Sequence, residues 1–149
     1  MSLDYIESWH RAARPKPTPQ NFNVQLGCHF EEVAEMLETL KFTKVGYDPV
    51  QGNFSAAHGV IKDLADGLKK GLYTAEITDR KELLDSLADQ VVTAVGVGYC
   101  AKMDVPVACY RVDESNWSKY DELGKPIFNE DGKITKGPDY LKPDLTGLY

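Results

Sequence analysis

The feature that most constrains the fold is a long stretch of helical periodicity in the first third of the chain. Between residues 22 and 42, apolar side chains recur at spacings of three and four residues, from Phe22 through Phe30 to Leu40. Apolar residues at this spacing fall on one face of an α-helix. We therefore expect a long amphipathic helix over residues 22–42 and an all-α fold around it.

The same kind of pattern predicts further helices on both sides of this segment. Prolines at 15–19 remove backbone donors and should end the first helix, and Asp79 is placed to cap a later one. YDPVQGN at 47–53 is typical of a turn. The additional predicted helices cover residues 3–14, 55–70, 79–102 and 106–120.

The character of the chain changes after these helices. Residues 121–149 are rich in glycine and proline, and NEDGK at 129–133 carries a turn signal. We interpret residues 121–149 as a turn-rich C-terminal arm or small hairpin. The whole chain, residues 1–149, is then expected to form one domain, a bundle of four or five helices with this arm.

Composition limits the function and the compartment. With 149 residues and a net charge of -6, the chain is unsuited to nucleic acid or anionic membranes as main partners. Its three cysteines have no CxxC spacing, which favours reduced thiols. No apolar run approaches the roughly 20 residues of a membrane span, and the N-terminus has no apolar signal core. We expect a cytoplasmic protein.

The predicted helix over residues 22–42 also carries an unusual row of acidic residues. Glu31, Glu35 and Glu38 share one side, with Glu32 beside them and no Lys or Arg among them. Like charges one turn apart repel by a few tenths of a kcal/mol each. The row is either a solvated acidic face or part of a cation site.

A second acidic row favours the interpretation of the first row as part of a cation site. Glu82, Asp85 and Asp89 also fall on one stripe of a predicted helix. If the two helices pack as antiparallel neighbours, their carboxylates would converge and favour a hard cation, Mg²⁺ or Mn²⁺. A remaining glutamate could act as general base on a water, which suggests hydrolysis of a phosphoanhydride.

Several motifs resemble the all-α nucleoside triphosphate pyrophosphohydrolases, the superfamily of MazG and phosphoribosyl-ATP pyrophosphohydrolase. EEVAE at 31–35 matches its EExxE element, and LADQVV at 87–92 is similar to its ELADLLY-type segment, with Asp89 at the motif Asp. ESWHRA at 7–12, the SNWSK stretch within 112–128 and GKITKGPDYLKPDL at 132–145 resemble the dUTPase-like and phage branch of the superfamily.

The resemblance implies a Mg²⁺-dependent enzyme that hydrolyses an NTP or dNTP to the monophosphate and pyrophosphate. It implies metal ligands at Glu32, Glu35 and Asp89, and a role for Glu31 in orienting the attacking water or holding a second ion. Ser86 stands where the family usually has Glu. Asp85 or Glu82 would then have to replace that missing ligand.

The resemblance also suggests substrate contacts and an oligomer. Asn116 and Lys119 could contact the nucleotide, and Lys133 and Lys136 could neutralise phosphates, although a helix cap and solvated charges explain the same residues. The family usually builds its site in homodimers or homotetramers. Two alternatives remain: phosphoribosyl-ATP as substrate, or a nucleotide-binding module whose catalysis is impaired by the Ser86 change.

Overall fold

The computed structural model describes residues 3–40, 55–130 and 132–149, and these residues form an all-α protein. Within those ranges there is no β-strand, and two isolated antiparallel bridges, Tyr120 with Pro126 and Phe128 with Ile134, lie in the arm. The predicted all-α class is confirmed, and the helices are those of a small bundle. They are α1 (Asp4–Ala13), α2 (Pro19–Glu38), α3 (Ser55–Lys69), α4 (Arg80–Cys100) and α5 (Val105–Trp117).

Helix α2 begins three residues earlier than the apolar pattern predicts. The Thr18 hydroxyl accepts from the backbone N–H of Asn21, whose side chain accepts from the N–H of Thr18. Pro19 occupies the first turn, where its missing N–H costs no intrahelical bond. The last of the clustered prolines therefore starts α2. The predicted end near residue 42 and the turn at 47–53 lie outside the described residues.

The other helix starts follow from their capping residues. Asp79 caps α4, as predicted, by accepting from the backbone N–H groups of Lys81 and Glu82. Asp104 caps α5 in the same way through the N–H of Val107. Helix α5 ends at Trp117, three residues before the predicted end.

Contacts divide the chain into two compact units, which are described separately. The α2–α3 unit comprises Pro17–Ala75 and Glu130–Lys133. The α1–α4–α5 unit comprises Met1–Lys16, Glu76–Asn129 and Ile134–Tyr149. The expectation of one domain over residues 1–149 stays a prediction.

Small residues allow α2 and α3 to approach each other closely. A Cβ atom added at Gly27 would lie 2.7 Å from the carbonyl oxygen of Ala65 on α3. Val24, Ala34 and Leu68 are buried in the same unit, together with Ala65. The larger apolar residues of the predicted α2 face, such as Phe30, are only half-buried. The closest part of this helix pair is therefore built from small side chains.

The α1–α4–α5 unit has an aromatic core. Trp9, Ala13 and Tyr120 form a buried cluster, and Ile134 of the arm packs against it. The Tyr120 hydroxyl donates to the carbonyl of Trp9 at 2.8 Å. Ser115 of α5 in turn donates to the carbonyl of Leu141 at 2.6 Å. These contacts fix the arm against α1 and α5.

Helix α4 keeps much of its apolar side exposed. Leu84 is 70% exposed, Val92 68% and Val97 62%. Gly98 is buried because Val105 packs where its Cβ would be. Among the described residues, no single helix is long and apolar enough to cross a membrane. Helices α4 and α5 together have the length and composition of a membrane span, but the chain bends by 117° between them.

Candidate functional site

The most specific polar arrangement in the α2–α3 unit is centred on Glu31. Its Oε1 atom accepts from Nζ of Lys69, at the end of α3, at 2.5 Å. Its Oε2 atom accepts from Nζ of Lys133, in the arm, at 2.7 Å. Lys69 also lies 3.1 Å from Oδ1 of Asp66. One carboxylate thus holds two ammonium groups that come from distant parts of the sequence.

These contacts shift the pKa values of Glu31, Lys69 and Lys133. Burial alone would raise the pKa of Glu31, but the hydrogen bonds and charges of Lys133 and Lys69 outweigh burial and hold that pKa below its usual value. Burial would lower the pKa of Lys69, yet Glu31 and Asp66 raise it overall. Burial likewise opposes the charge of Lys133, and its bond to Glu31 raises the pKa of that lysine. All three groups are therefore held in their charged forms.

The remaining glutamates of α2 differ from Glu31 in their surroundings. Glu32 and Glu35, the predicted metal ligands, have exposed side chains. Glu38 lies with its Oε1 atom 2.9 Å from Nε2 of His58 on α3. In the acidic row of α2, Glu31 is therefore held by two lysines, Glu38 contacts a histidine, and Glu32 and Glu35 face solvent.

The second acidic row lies on α4, in the other unit. Glu82, Asp85 and Asp89 are all exposed, and so is Ser86. Carboxylate oxygens are the donors that Mg²⁺ prefers, so the chemistry of the donors on α2 and on α4 fits this ion. No three histidine, cysteine or acidic side chains come together for a metal in residues 3–40, 55–130 and 132–149.

Asn116 and Lys119, the predicted nucleotide contacts, lie together beside α1. Nζ of Lys119 donates to Oδ1 of Asn116 at 2.6 Å and lies 5.9 Å from the centre of the Trp9 ring. The indole N–H of Trp9 donates to the carbonyl of Asn116 at 2.9 Å. Trp117 is partly exposed next to them. The structure brings these two polar side chains together in a half-buried aromatic setting.

The two lysines predicted to contact phosphates have different environments. Lys133 pairs with Glu31, as described above. Lys136 is exposed, and its Nζ atom lies 4.8 Å from the centre of the Tyr140 ring. Lys133 belongs to the α2–α3 unit and Lys136 to the α1–α4–α5 unit.

Two features of these surroundings were missed by sequence reasoning. The sequence does not indicate that Lys69 contacts Glu31, because the spacing of residues within one helix does not show which cation of another helix will reach them. A buried carboxyl, Asp113 on α5, was also missed. Burial raises the pKa of Asp113, and Trp117 donates a hydrogen bond to it. Burial lowers the pKa of His10, which interacts with the Asp113 charge.

Comparison with protein-family models, with curated proteins and with solved structures gives no match to this chain. The geometry of the α2–α3 unit and the sequence motifs are therefore the basis for assigning a function.

Proposed function

We propose that the chain is a Mg²⁺-dependent nucleoside triphosphate pyrophosphohydrolase, which converts an NTP or dNTP to the monophosphate and pyrophosphate. The observation that supports this best is the arrangement on α2. Glu31 is fixed by two lysines, while Glu32 and Glu35 of the same EExxE element remain exposed and able to bind a cation. A purely solubilising acidic helix would not need a half-buried carboxylate between two ammonium groups.

Glu31 is the proposed catalytic residue. A carboxylate has about four lone-pair positions, so each oxygen can accept from a lysine and from a water as well. The two lysines lower its proton affinity, which favours a role in orienting the attacking water over a role in removing its proton completely. In this proposal Glu31 directs the water toward the phosphorus of the bond that is cleaved.

Glu32 and Glu35 are the proposed Mg²⁺ ligands on α2. On α4 the proposed ligands are Asp89 and either Asp85 or Glu82. When bound, the ion would neutralise negative charge on the phosphates during hydrolysis; Mn²⁺ would serve the same purpose. Glu31 is left out of the ligand set because the two ammonium groups beside it offset its charge and would repel a cation.

The phosphate and nucleotide contacts are proposed to come from lysines and one amide. An ammonium group has three N–H donors, so Lys133 can contact a phosphate oxygen while it contacts Glu31. Lys136 would add a second positive charge to the phosphates. Asn116 and Lys119 form a polar pair next to exposed Trp117, which suits contact with a base or sugar.

The proposal includes a second copy of the chain as partner. The family that the motifs resemble usually forms homodimers or homotetramers, and the exposed apolar residues of α4 are the surface that a second copy would cover. Neither nucleic acid nor a membrane is a proposed partner, and the proposed compartment is the cytoplasm. A molar mass of one chain by light scattering at micromolar concentration would contradict the oligomer.

The experiment that tests this function compares three glutamate variants. Glu32→Gln and Glu35→Gln should each reduce pyrophosphate release from a panel of NTPs and dNTPs by about tenfold or more. Glu38→Gln serves as the matched control on the same helix and should retain activity, because Glu38 is paired with His58. Equal activity in all three variants would contradict the proposed metal site. Phosphoribosyl-ATP in the panel decides between the two substrates.

One other candidate, a nucleotide-binding module without hydrolysis, is supported by Ser86 at the position of a family Glu. Such a protein would bind a nucleoside triphosphate in the presence of Mg²⁺ and release no product. Binding measured by calorimetry, beside the hydrolysis panel, separates this candidate from the enzyme.

A further inference from the structure

We infer that Lys69 is a positioning residue for Glu31: it fixes the orientation of this carboxylate, which the proposed hydrolysis uses to direct water. The inference rests on the proposed function for its chemical consequence. Its structural basis is the contact of Lys69 with Glu31 and the way in which α3 delivers the lysine to α2. Neither the EExxE element nor any other motif in the sequence assigns a role to Lys69.

Lys69 is held on both sides by carboxylates. Its Nζ atom lies 2.5 Å from Oε1 of Glu31 and 3.1 Å from Oδ1 of Asp66, which is three residues earlier on α3. The Lys69 side chain is only 12% exposed, and that of Glu31 is 17% exposed. A lysine this far from solvent is uncommon unless it is paired. Its position is therefore determined by packing and by two ionic contacts.

The route of the lysine side chain depends on a glycine. A Cβ atom at Gly27 would lie 2.8 Å from Cγ of Lys69. Gly27 is one helical turn before Glu31, so the two residues share a face of α2. The stem of Lys69 crosses α2 in the space left open at Gly27, and its ammonium group reaches Glu31. A larger residue at position 27 would block this path.

Lys69 and Lys133 restrain Glu31 unequally. Lys133 comes from the arm and its side chain is 43% exposed, whereas Lys69 stands on a helix and is largely buried. The more rigid contact is therefore the one to Lys69. Without it, Glu31 would keep one partner from the arm, its side chain could rotate, and a bound water would lose its fixed direction. A displacement of about 1 Å can cost about a hundredfold in rate.

The charged groups around this contact are few in the described part of the unit. Lys69 and Lys133 face Glu31, and Asp66 faces Lys69. Cys28, one turn before Glu31 on α2, interacts with the Lys133 charge. Removing the Lys69 charge therefore leaves Glu31 with Lys133 as its counter-ion.

The test uses Lys69→Met, which keeps the length of the stem without the charge, and Lys69→Arg, which keeps the charge. Lys70→Met is the matched control, because Lys70 is the exposed neighbour on the same turn. A double-mutant cycle of Lys69→Met with Glu31→Gln, measured by urea unfolding, gives a readout that does not need activity. The separate effects on kcat and KM give the second.

In Lys69→Met, kcat should fall by about ten- to a hundredfold with KM nearly unchanged. The stability losses of Lys69→Met and Glu31→Gln should be smaller in the double variant than their sum, because both remove the same contact. Lys69→Arg should restore most of kcat and most of the stability, and Lys70→Met should match the wild type. Additive stability losses in the double variant, or an unchanged kcat in Lys69→Met, would overturn the inference. An inactive wild type would overturn the proposed function instead, and the double-mutant cycle would still show whether Lys69 and Glu31 interact in the folded protein.

Discussion

Nζ of Lys133 lies 2.7 Å from Oε2 of Glu31, although 102 residues separate them in the chain. This ion pair joins the turn of the arm to α2 within one compact unit. Lys69 contacts the other carboxylate oxygen, and the two lysines together hold Glu31 in place and in its ionised form. The EExxE element thus has one member held by cations and two that are exposed.

Glu31→Gln should reduce stability in a pH-dependent way. Because the pKa of Glu31 is lower in the folded protein than in the unfolded chain, its contribution is present above the unfolded value of about 4.3 and is lost as pH falls through the folded value. We expect a loss of about 1–2 kcal/mol at pH 7 by urea unfolding. The difference from the wild type should shrink at pH values below about 4.

The control for this variant is Glu38→Gln, whose side chain is 60% exposed. It should change the free energy of unfolding by less than about 1 kcal/mol. A Glu31→Gln effect that is the same at pH 7 and at pH 3 would contradict the ionic origin of the contribution.

Gly27→Ala should destabilise the α2–α3 unit. The added Cβ would lie 2.7 Å from the backbone oxygen of Ala65, and a backbone atom cannot move away as a side-chain end can. We expect a loss of about 1–3 kcal/mol in the free energy of unfolding. Gly59→Ala is the control on α3, since no described atom lies within 4 Å of its Cβ position. That variant should gain about 0.5–1 kcal/mol, as Ala does in a helix interior; similar losses in both would argue against the close helix approach.

Tyr120→Phe tests the junction between the arm and α1. The variant keeps the buried ring but removes the hydroxyl that donates to the carbonyl of Trp9. The free energy of unfolding should fall by about 1–2 kcal/mol, because a buried hydrogen bond is lost. Tyr149→Phe, at a residue that is 82% exposed, should leave it unchanged. The same result for both variants in denaturant unfolding would show that the Tyr120 contact is unimportant.

The sequence predicted the helices better than it predicted their contacts. Apolar periodicity predicts all five helices found in the described residues, and Asp79 marks the start of α4. The apolar pattern places the start of α2 three residues late, because Pro19 belongs to a cluster typical of a helix end, while Thr18 and Asn21 cap the helix that Pro19 begins. Because proline lacks a backbone N–H donor, it can end one helix or start another, and the neighbouring residues determine which of the two occurs.

The candidate site shows a similar limit. Spacing predicts Glu31, Glu35 and Glu38 on one side of a helix with Glu32 beside them, but it does not show which of them a distant cation will reach. Lys69 and Lys133 reach Glu31 through the packing of α3 and of the arm, and that packing depends on Gly27. Contacts between residues far apart in the sequence depend on how the helices and the arm pack. No spacing pattern in a single sequence predicts that packing.

Ser86→Glu should strengthen cation binding. Ser86 is exposed on α4, three residues before Asp89, so a glutamate there is tolerated and adds a carboxylate to the same stripe. We expect the affinity for Mn²⁺, measured by electron paramagnetic resonance, to rise by about tenfold. Ser86→Gln supplies the matched control of equal size without charge and should bind as the wild type does. Equal affinity in the Glu and Gln variants would remove position 86 from the proposed ligand set.

The most direct test of the proposed function is ³¹P NMR of an NTP and dNTP mixture incubated with the purified protein and Mg²⁺. We expect at least one triphosphate to disappear while pyrophosphate and a nucleoside monophosphate appear in equal amounts, and we expect Glu31→Gln to slow this reaction by about a hundredfold. Inorganic phosphate with a nucleoside diphosphate, or no change in any of the nucleotides, would contradict the proposed function.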